Sequence, residues 1–191
     1  MSFQKNLWLT SDLHLGHVNA ATQWRGFDTV EDMNETLIDK WNRVVNTDDA
    51  VWILGDIVMG ARSETLPLVN RLHGNKVLVP GNHDYVHPCN GDKMVAKWWQ
   101  AYADRFSLIT SGQVVYDDRV TLCHFPYTAD HTDKVRYPEY RPTDKGGWLL
   151  HGHIHGTTAT SPDRPRQIDV GVDAHGFTPV AWETLIEMMK P

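Results

Sequence analysis

The chain has 191 residues and a mass of 21.8 kDa, a length suited to one well-packed domain spanning residues 1–191. A composition of 41% hydrophobic and 22% charged residues excludes the disordered and low-complexity classes, and no apolar run approaches the roughly 18–20 residues of a membrane span. With 18 basic against 24 acidic residues the net charge is −6, which argues against a general polyanion binder yet leaves room for a local phosphate site.

In chain order, the first apolar run is Leu7-Trp8-Leu9, short and hydrophobic enough for a buried strand. A helical spacing follows over Glu31–Asn46, with Met33, Leu37, Trp41 and Val44/Val45 on one face and Thr29 as its N-cap. Val51–Leu54 reads as the next strand. Ser63–His73 reads as a second helix, with Glu64 in its first turn, Pro67 close enough to the start to be tolerated and Gly74 as its stop. Val77–Val79 gives another strand and Asp92–Arg105 a third helix, carrying Met94, Val95, Trp98, Trp99 and Tyr102.

The second half is richer in strands. Gln113–Tyr116 and Arg119–Cys123 flank Asp117-Asp118 as a hairpin. Trp148–Leu150 and Gln167–Val170 add two strands, and Trp182–Met189 a last helix. Alternation first and strands later predict an α/β fold, two stacked mixed β-sheets flanked by helices. The irregular stretch from Pro126 to Gly147, with His131, Lys134, Arg136, Tyr137, Tyr140 and Arg141, reads as a lid over a site or as a solvated loop.

The histidines number 11, and their positions carry the functional signal. Nearly every strand ends in a metal-ligand residue type: Asp12 and His14; Gly55-Asp56; Gly81-Asn82-His83-Asp84; His124; and Gly152-His153-Ile154-His155. In open α/β sheets the carboxyl ends of strands converge on one crevice, so these donors would meet there. A mixed His, Asp and Asn set suits Mn, Fe, Zn, Ni or Co better than Ca, and the lack of Cys ligands argues against structural zinc. His73, His87, His131 and His175 read as ordinary, His151 as a strand-end neighbour and Cys123 as a small core residue. The start, MSFQKNLWLTSD, lacks a signal-peptide pattern, and Cys89 and Cys123 cannot form a disulfide framework. Both point to a cytoplasmic setting.

These motifs, in this order over about Leu7 to Val172, resemble the calcineurin-like metallophosphoesterase family. The flanking Thr-Ser-Asp-Leu-His-Leu-Gly-His and Val-Gly-Val-Asp are similar to the compact bacterial and phage-encoded members. The resemblance implies a two-sheet sandwich and two divalent cations per chain, manganese foremost. Asp12, His14 and His155 would hold one cation, Asn82, His124 and His153 the second, with Asp56 bridging them. It further implies in-line attack at phosphorus by a bridging hydroxide, with His83 as general acid and Asp84 orienting the His83 ring. His17 and Arg25 are the substrate-binding candidates, Arg25 as a bidentate phosphate clamp.

The protein-phosphatase branch continues Gly-Asp with an Asp-Arg pair and uses Gly-Asn-His-Glu; here Ile57-Val58-Met59-Gly60 follows Asp56, and the last motif ends in Asp84. The expected activity is therefore a phosphodiesterase on a small or cyclic nucleotide, 2′,3′-cyclic nucleotides included. Its partner would be a small phosphoester, with no membrane and no strong polyanion binding. The alternatives are a metal-dependent nuclease or polynucleotide-end processor, and a non-catalytic binding scaffold on the same fold.

Overall fold

The computed structural model describes residues 5–116, 119–130 and 134–190. Two mixed β-sheets, flanked by helices, form the architecture that the strand pattern predicts. In the first, β1 (Leu7–Thr10), β2 (Ala50–Ile53), β3 (Asn75–Leu78) and β4 (Leu108–Ile109) run parallel, and β9 (Val180–Ala181) closes the other edge antiparallel to β1. In the second, β5 (Gln113–Tyr116) pairs antiparallel with β6 (Val120–Cys123), and β6, β7 (Trp148–His151) and β8 (Gln167–Asp169) are parallel. The expected turn at Asp117-Asp118 lies outside the described residues, as does His131.

Side-chain alternation along the strands sorts the core into two layers. Val51, Ile53 and Leu78 face the helices, packing with Met33, Leu37 and Trp41 of α1 (Val30–Val44) and Tyr102 of α3 (Asp92–Ala103). Leu9, Leu54 and Val79 face Leu122, Leu150 and Ile168 of the other sheet. Thr29 caps α1 as predicted, its Oγ1 accepting from Asp32 N at 3.1 Å.

One predicted helix does not form. Over Ser63–His73 there is a single α-turn, α2 (Arg62–Thr65), followed by a 3₁₀ segment at Leu66–Arg71. Pro67 has no N–H to bond the carbonyl of Ser63, so the α-ladder cannot propagate through it. Strands β4 and β9, two residues each, are too short to leave a periodic trace in the sequence.

The sheets meet where β1 and β8 run past their ends. Ser11 bridges Gly171, with Val172 N donating to Ser11 O at 3.0 Å. Beyond that seam the chain leaves β1, β2, β3, β6 and β7 on the same side, and the predicted donors gather there.

Candidate metal centre

The donors occupy loops whose backbone is unusual. Eight non-glycine residues among those described have positive φ, and five of them are Asp12 (57°), His14 (51°), Asp56 (54°), His153 (74°) and His155 (50°). Each such residue costs on the order of 1–2 kcal/mol against ordinary helical or extended backbone. Strain of this kind concentrates at functional sites and persists only where surrounding contacts enforce it. Several do so here. Asp12 N donates to Gly55 O and His14 N to Asp56 O, each at 3.0 Å, locking the first two loops together. Gly55 has φ +91°, and a Cβ there would strike Gly81 and His124. At Gly152 a Cβ would collide with Asp12 Oδ2 and Ser11 Oγ, so only glycine lets the His153 loop approach Asp12.

Two groups of side chains lie close enough to hold a cation each: Asp12, His14 and His155; and Asp12, Asp56 and His124. His14 Nε2 is 3.7 Å from both Asp12 Oδ1 and Asp56 Oδ2. The same Asp56 Oδ2 is 3.4 Å from His124 Nε2, so one carboxylate oxygen faces an imidazole on either side. Asn82 Oδ1 lies 3.2 Å from His124 Nε2. The ring of His153 stands 5.1 Å from that of His124, and its backbone N donates to Asp12 Oδ2 at 2.9 Å. All seven predicted donors are therefore in one place, although Asn82 and His153 belong to neither of the two groups.

Ring orientations are set by what the remote nitrogen touches. His124 Nδ1 bonds Leu54 O at 2.7 Å, His155 Nδ1 bonds Asp173 at 3.1 Å, and His153 Nε2 bonds Asp130 at 3.1 Å. A histidine held by one nitrogen presents the other, the usual way a protein fixes a metal-binding tautomer. Asp130 and Asp173 were not anticipated from the sequence. Asp173 ends the Val-Gly-Val-Asp run, which was a usable signal; Asp130 sits in an irregular stretch that offered none.

The electrostatics fit a site built for positive charge. Burial would raise Asp12, but the neighbouring imidazoles of His14, His155 and His124 hold it well below the usual carboxylate range. Asp56 is depressed likewise, His124 opposing its burial most. Burial pushes His14 down to about 4, so it is a neutral, lone-pair donor. His124 goes the other way: burial disfavours its charge, but Asp56 beside it prevails and lifts it to about 9. Asp12 Oδ1 and both ring nitrogens of His14 are buried without a hydrogen-bond partner. Such groups cost roughly 1–3 kcal/mol each if left unsatisfied, and a cation between them would satisfy both residues.

Two sequence expectations are corrected. Arg25 is no phosphate clamp: its guanidinium makes a paired 2.8 Å contact with Asp173 and donates to the carbonyls of Asp12 (2.7 Å) and Leu13 (2.9 Å), underneath the ligand loop. Asp84 does not orient the His83 ring. Its carboxylate accepts the backbone N–H groups of Asp56 and Gly81 at 2.8 Å and of Ile57 at 3.2 Å, pinning two ligand loops together. Burial and the nearby Asp56 raise Asp84 to about 6 against those bonds. Of the described residues after Pro126, Lys134, Val135 and 143–146 are exposed, while Arg136 and Arg141 both pair with Asp130. Arg141 is tied to Asp130 and to the carbonyls of Pro126 and Ala129, while Tyr127, Tyr137 and Tyr140 pack on Phe125 and Leu149.

His83 is held at both ends of its backbone, its N donating to Asp56 Oδ1 at 2.8 Å and its O accepting from Arg62 at 2.8 Å. Its ring lies 5.6 Å from that of His14. His17 uses Nδ1 to accept from Ala20 N at 3.0 Å. Both rings line an open cleft of about 460 Å3 together with His14, Trp24, Ile154 and His155. A larger groove of about 660 Å3, at Tyr116, Trp148 and Trp182, lies away from these donors. His151 is buried with Nδ1 on Gly152 O, and His87 is packed between Phe125 and Tyr140, as ordinary core histidines.

A two-sheet sandwich with Asp, His and Asn converging at the strand ends defines a metal-ligating phosphoesterase class of fold and site. The family model of the calcineurin-like phosphoesterases matches residues 5–179, and the chain belongs to that family. It is 40% identical over 182 residues to the Gene 66 protein of Mycobacterium phage L5, covering 90% of this chain and 88% of that one. Protein MJ1445 of Methanocaldococcus jannaschii is 29% identical, covering 100% and 94%. Protein AQ665 of Aquifex aeolicus, at 19% identity, superposes with a TM-score of 0.68 over 97% of this chain and 100% of its own, which shows the shared fold. Among the described residues no helix is long and apolar enough to cross a membrane.

Proposed function

We propose that the protein is a dinuclear metal-dependent phosphodiesterase acting on small nucleotides, 2′,3′-cyclic nucleotides among them. The observation that carries this reading is the pair of orphaned buried donors, Asp12 Oδ1 and His14 Nε2, facing Asp56 Oδ2 and His124. Asp12, His14 and His155 would hold one cation and Asn82, His124 and His153 the other, with Asp56 shared. When bound, such a pair supplies charge against the phosphoryl oxygens and a water acidic enough to react near neutral pH.

The chain's own contribution is placement. Asp84 and the carbonyls of Gly55 and Asp56 fix the loops, and Asp130, Asp173 and Leu54 O fix the imidazoles. In this reading His83, whose ring lines the cleft beside His14, would give a proton to the departing alkoxide. Burial lowers its pKa, with Asp56 opposing; the negative charge of a bound phosphoester would favour its protonated form in the same way. A diester carries one fewer negative charge than a monoester and still expels a poor alkoxide leaving group, which suits a site relying on a proton donor. Among the described residues no Lys or Arg lines the cleft, which fits a small substrate better than a polymer.

With Mn2+ supplied, the purified protein is expected to hydrolyse bis-(p-nitrophenyl) phosphate faster than p-nitrophenyl phosphate; a strong preference for the monoester would overturn the diesterase reading. His83→Ala is expected to lower kcat by about 10²–10⁴ for alkyl leaving groups and far less for p-nitrophenolate, with metal content unchanged. A leaving-group series read by initial rates, beside elemental analysis, checks this. Equal losses across the series would remove His83 from the acid role.

A further inference from the structure

Trp24 is 51% exposed, a costly place for the largest side chain, and it stands at the mouth of the metal cleft. Its ring centroid is 5.3 Å from that of His17 and 6.3 Å from that of His155. It ends a five-residue π-helical turn, Ala20–Trp24, a rare geometry that is frequent at functional sites. The turn is firmly anchored. Arg25 N donates to Ala20 O at 3.0 Å and Phe27 N to Ala21 O at 2.9 Å. The Arg25 side chain grips Asp173, which also holds His155. One buried carboxylate thus anchors both the residue that follows Trp24 and a candidate metal ligand.

Among the described residues, Trp24 and Ile154 are the apolar members of a cleft wall that is otherwise imidazole, and that wall carries no acidic or cationic side chain with fixed charge. Such a wall does not select for charge; it suits a flat, largely neutral ring within one sugar's span of the phosphate. We infer that Trp24 is a stacking platform for the nucleobase of the substrate, and that it makes the enzyme prefer nucleoside over simple sugar phosphoesters. This rests on the phosphoesterase reading above. Because every base has a π-face, stacking of this kind tolerates all four bases. Specificity then lies in the presence of a base rather than in its identity.

The test compares two competitive inhibitors of bis-(p-nitrophenyl) phosphate hydrolysis by the Mn2+-loaded protein, adenosine 5′-monophosphate and ribose 5-phosphate, which differ only by the base. In the wild type the nucleotide is expected to bind about tenfold more tightly, the effect of one base–aromatic contact. Trp24→Ala should erase that ratio and leave ribose 5-phosphate unchanged, and Trp24→Phe should keep most of it. Equal inhibition constants in the wild type, or parallel weakening of both ligands in Trp24→Ala, would overturn the platform. Absence of reporter hydrolysis would count instead against the phosphoesterase reading; calorimetric titration of the same two ligands then decides the platform on its own.

Discussion

Asp56→Asn is expected to abolish phosphoesterase activity, with a loss of more than about a thousandfold, while the chain remains folded. The several kcal/mol that a metal pair contributes to phosphoryl transfer corresponds to at least that factor. The substitution keeps the shape of the side chain, and the carbonyl oxygen it retains can still accept from His83 N, as Asp56 Oδ1 does at 2.8 Å. What it removes is the negative charge that faces His14 at 3.7 Å and His124 at 3.4 Å at once. With its oxygen kept on His83 N, the amide turns an NH2, which offers no lone pair to a cation, towards both positions, so metal content should fall from two ions per chain to one or fewer. The metal-free variant should also lose the force that lifts His124 to about 9, because Asp56 is the main influence opposing its burial. Elemental analysis, the hydrolysis rate and a histidine titration by NMR read these three effects separately. Full activity in this variant would remove Asp56 from the centre and with it the dinuclear reading.

The strands and their terminal ligands were legible because each is a local pattern: an apolar run, then a donor. Asp12, Asp56, Asn82, His124 and His153 each fall within four residues of a strand end, and the fold brings those ends to one side. The backbone was not legible. Nothing in the residue types shows that Asp12, His14, Asp56, His153 and His155 adopt positive φ, because that conformation is imposed by contacts between loops far apart in sequence. The supporting carboxylates were hidden for the same reason. Asp173 meets Arg25 across 148 positions, and Asp130 meets His153 across 23. An arginine beside a predicted phosphate site looks the same in sequence whether it faces the phosphate or braces the floor beneath it. The Pro67 helix break was legible in principle, since proline at that depth removes a needed donor.

Arg25 supplies the largest expected stability effect, and its variant separates bracing from clamping. The side chain is 1% exposed and its partner Asp173 9%, so Arg25→Met breaks a buried pair and strips donors from two carbonyls of the first ligand loop. Breaking such a pair by removing one member costs about 3–5 kcal/mol, which lowers Tm on the order of 10 °C for a chain of this length. Burial raises Asp173, but the hydrogen bonds from His155 and Arg25 outweigh it and hold the carboxyl below its usual value of 3.8. The pair's contribution is therefore fully present above pH 3.8 and is lost as the pH falls through the lower folded value. Without Arg25 the burial effect has less opposition, so acid unfolding should begin at higher pH in the variant. Metal affinity should fall too, by about 10–100-fold, because the Asp173 that orients His155 is no longer anchored. Thermal and acid unfolding with metal titration measure all three. A variant of wild-type stability with only a raised KM would restore Arg25 to the cleft and overturn its place beneath the metal loop.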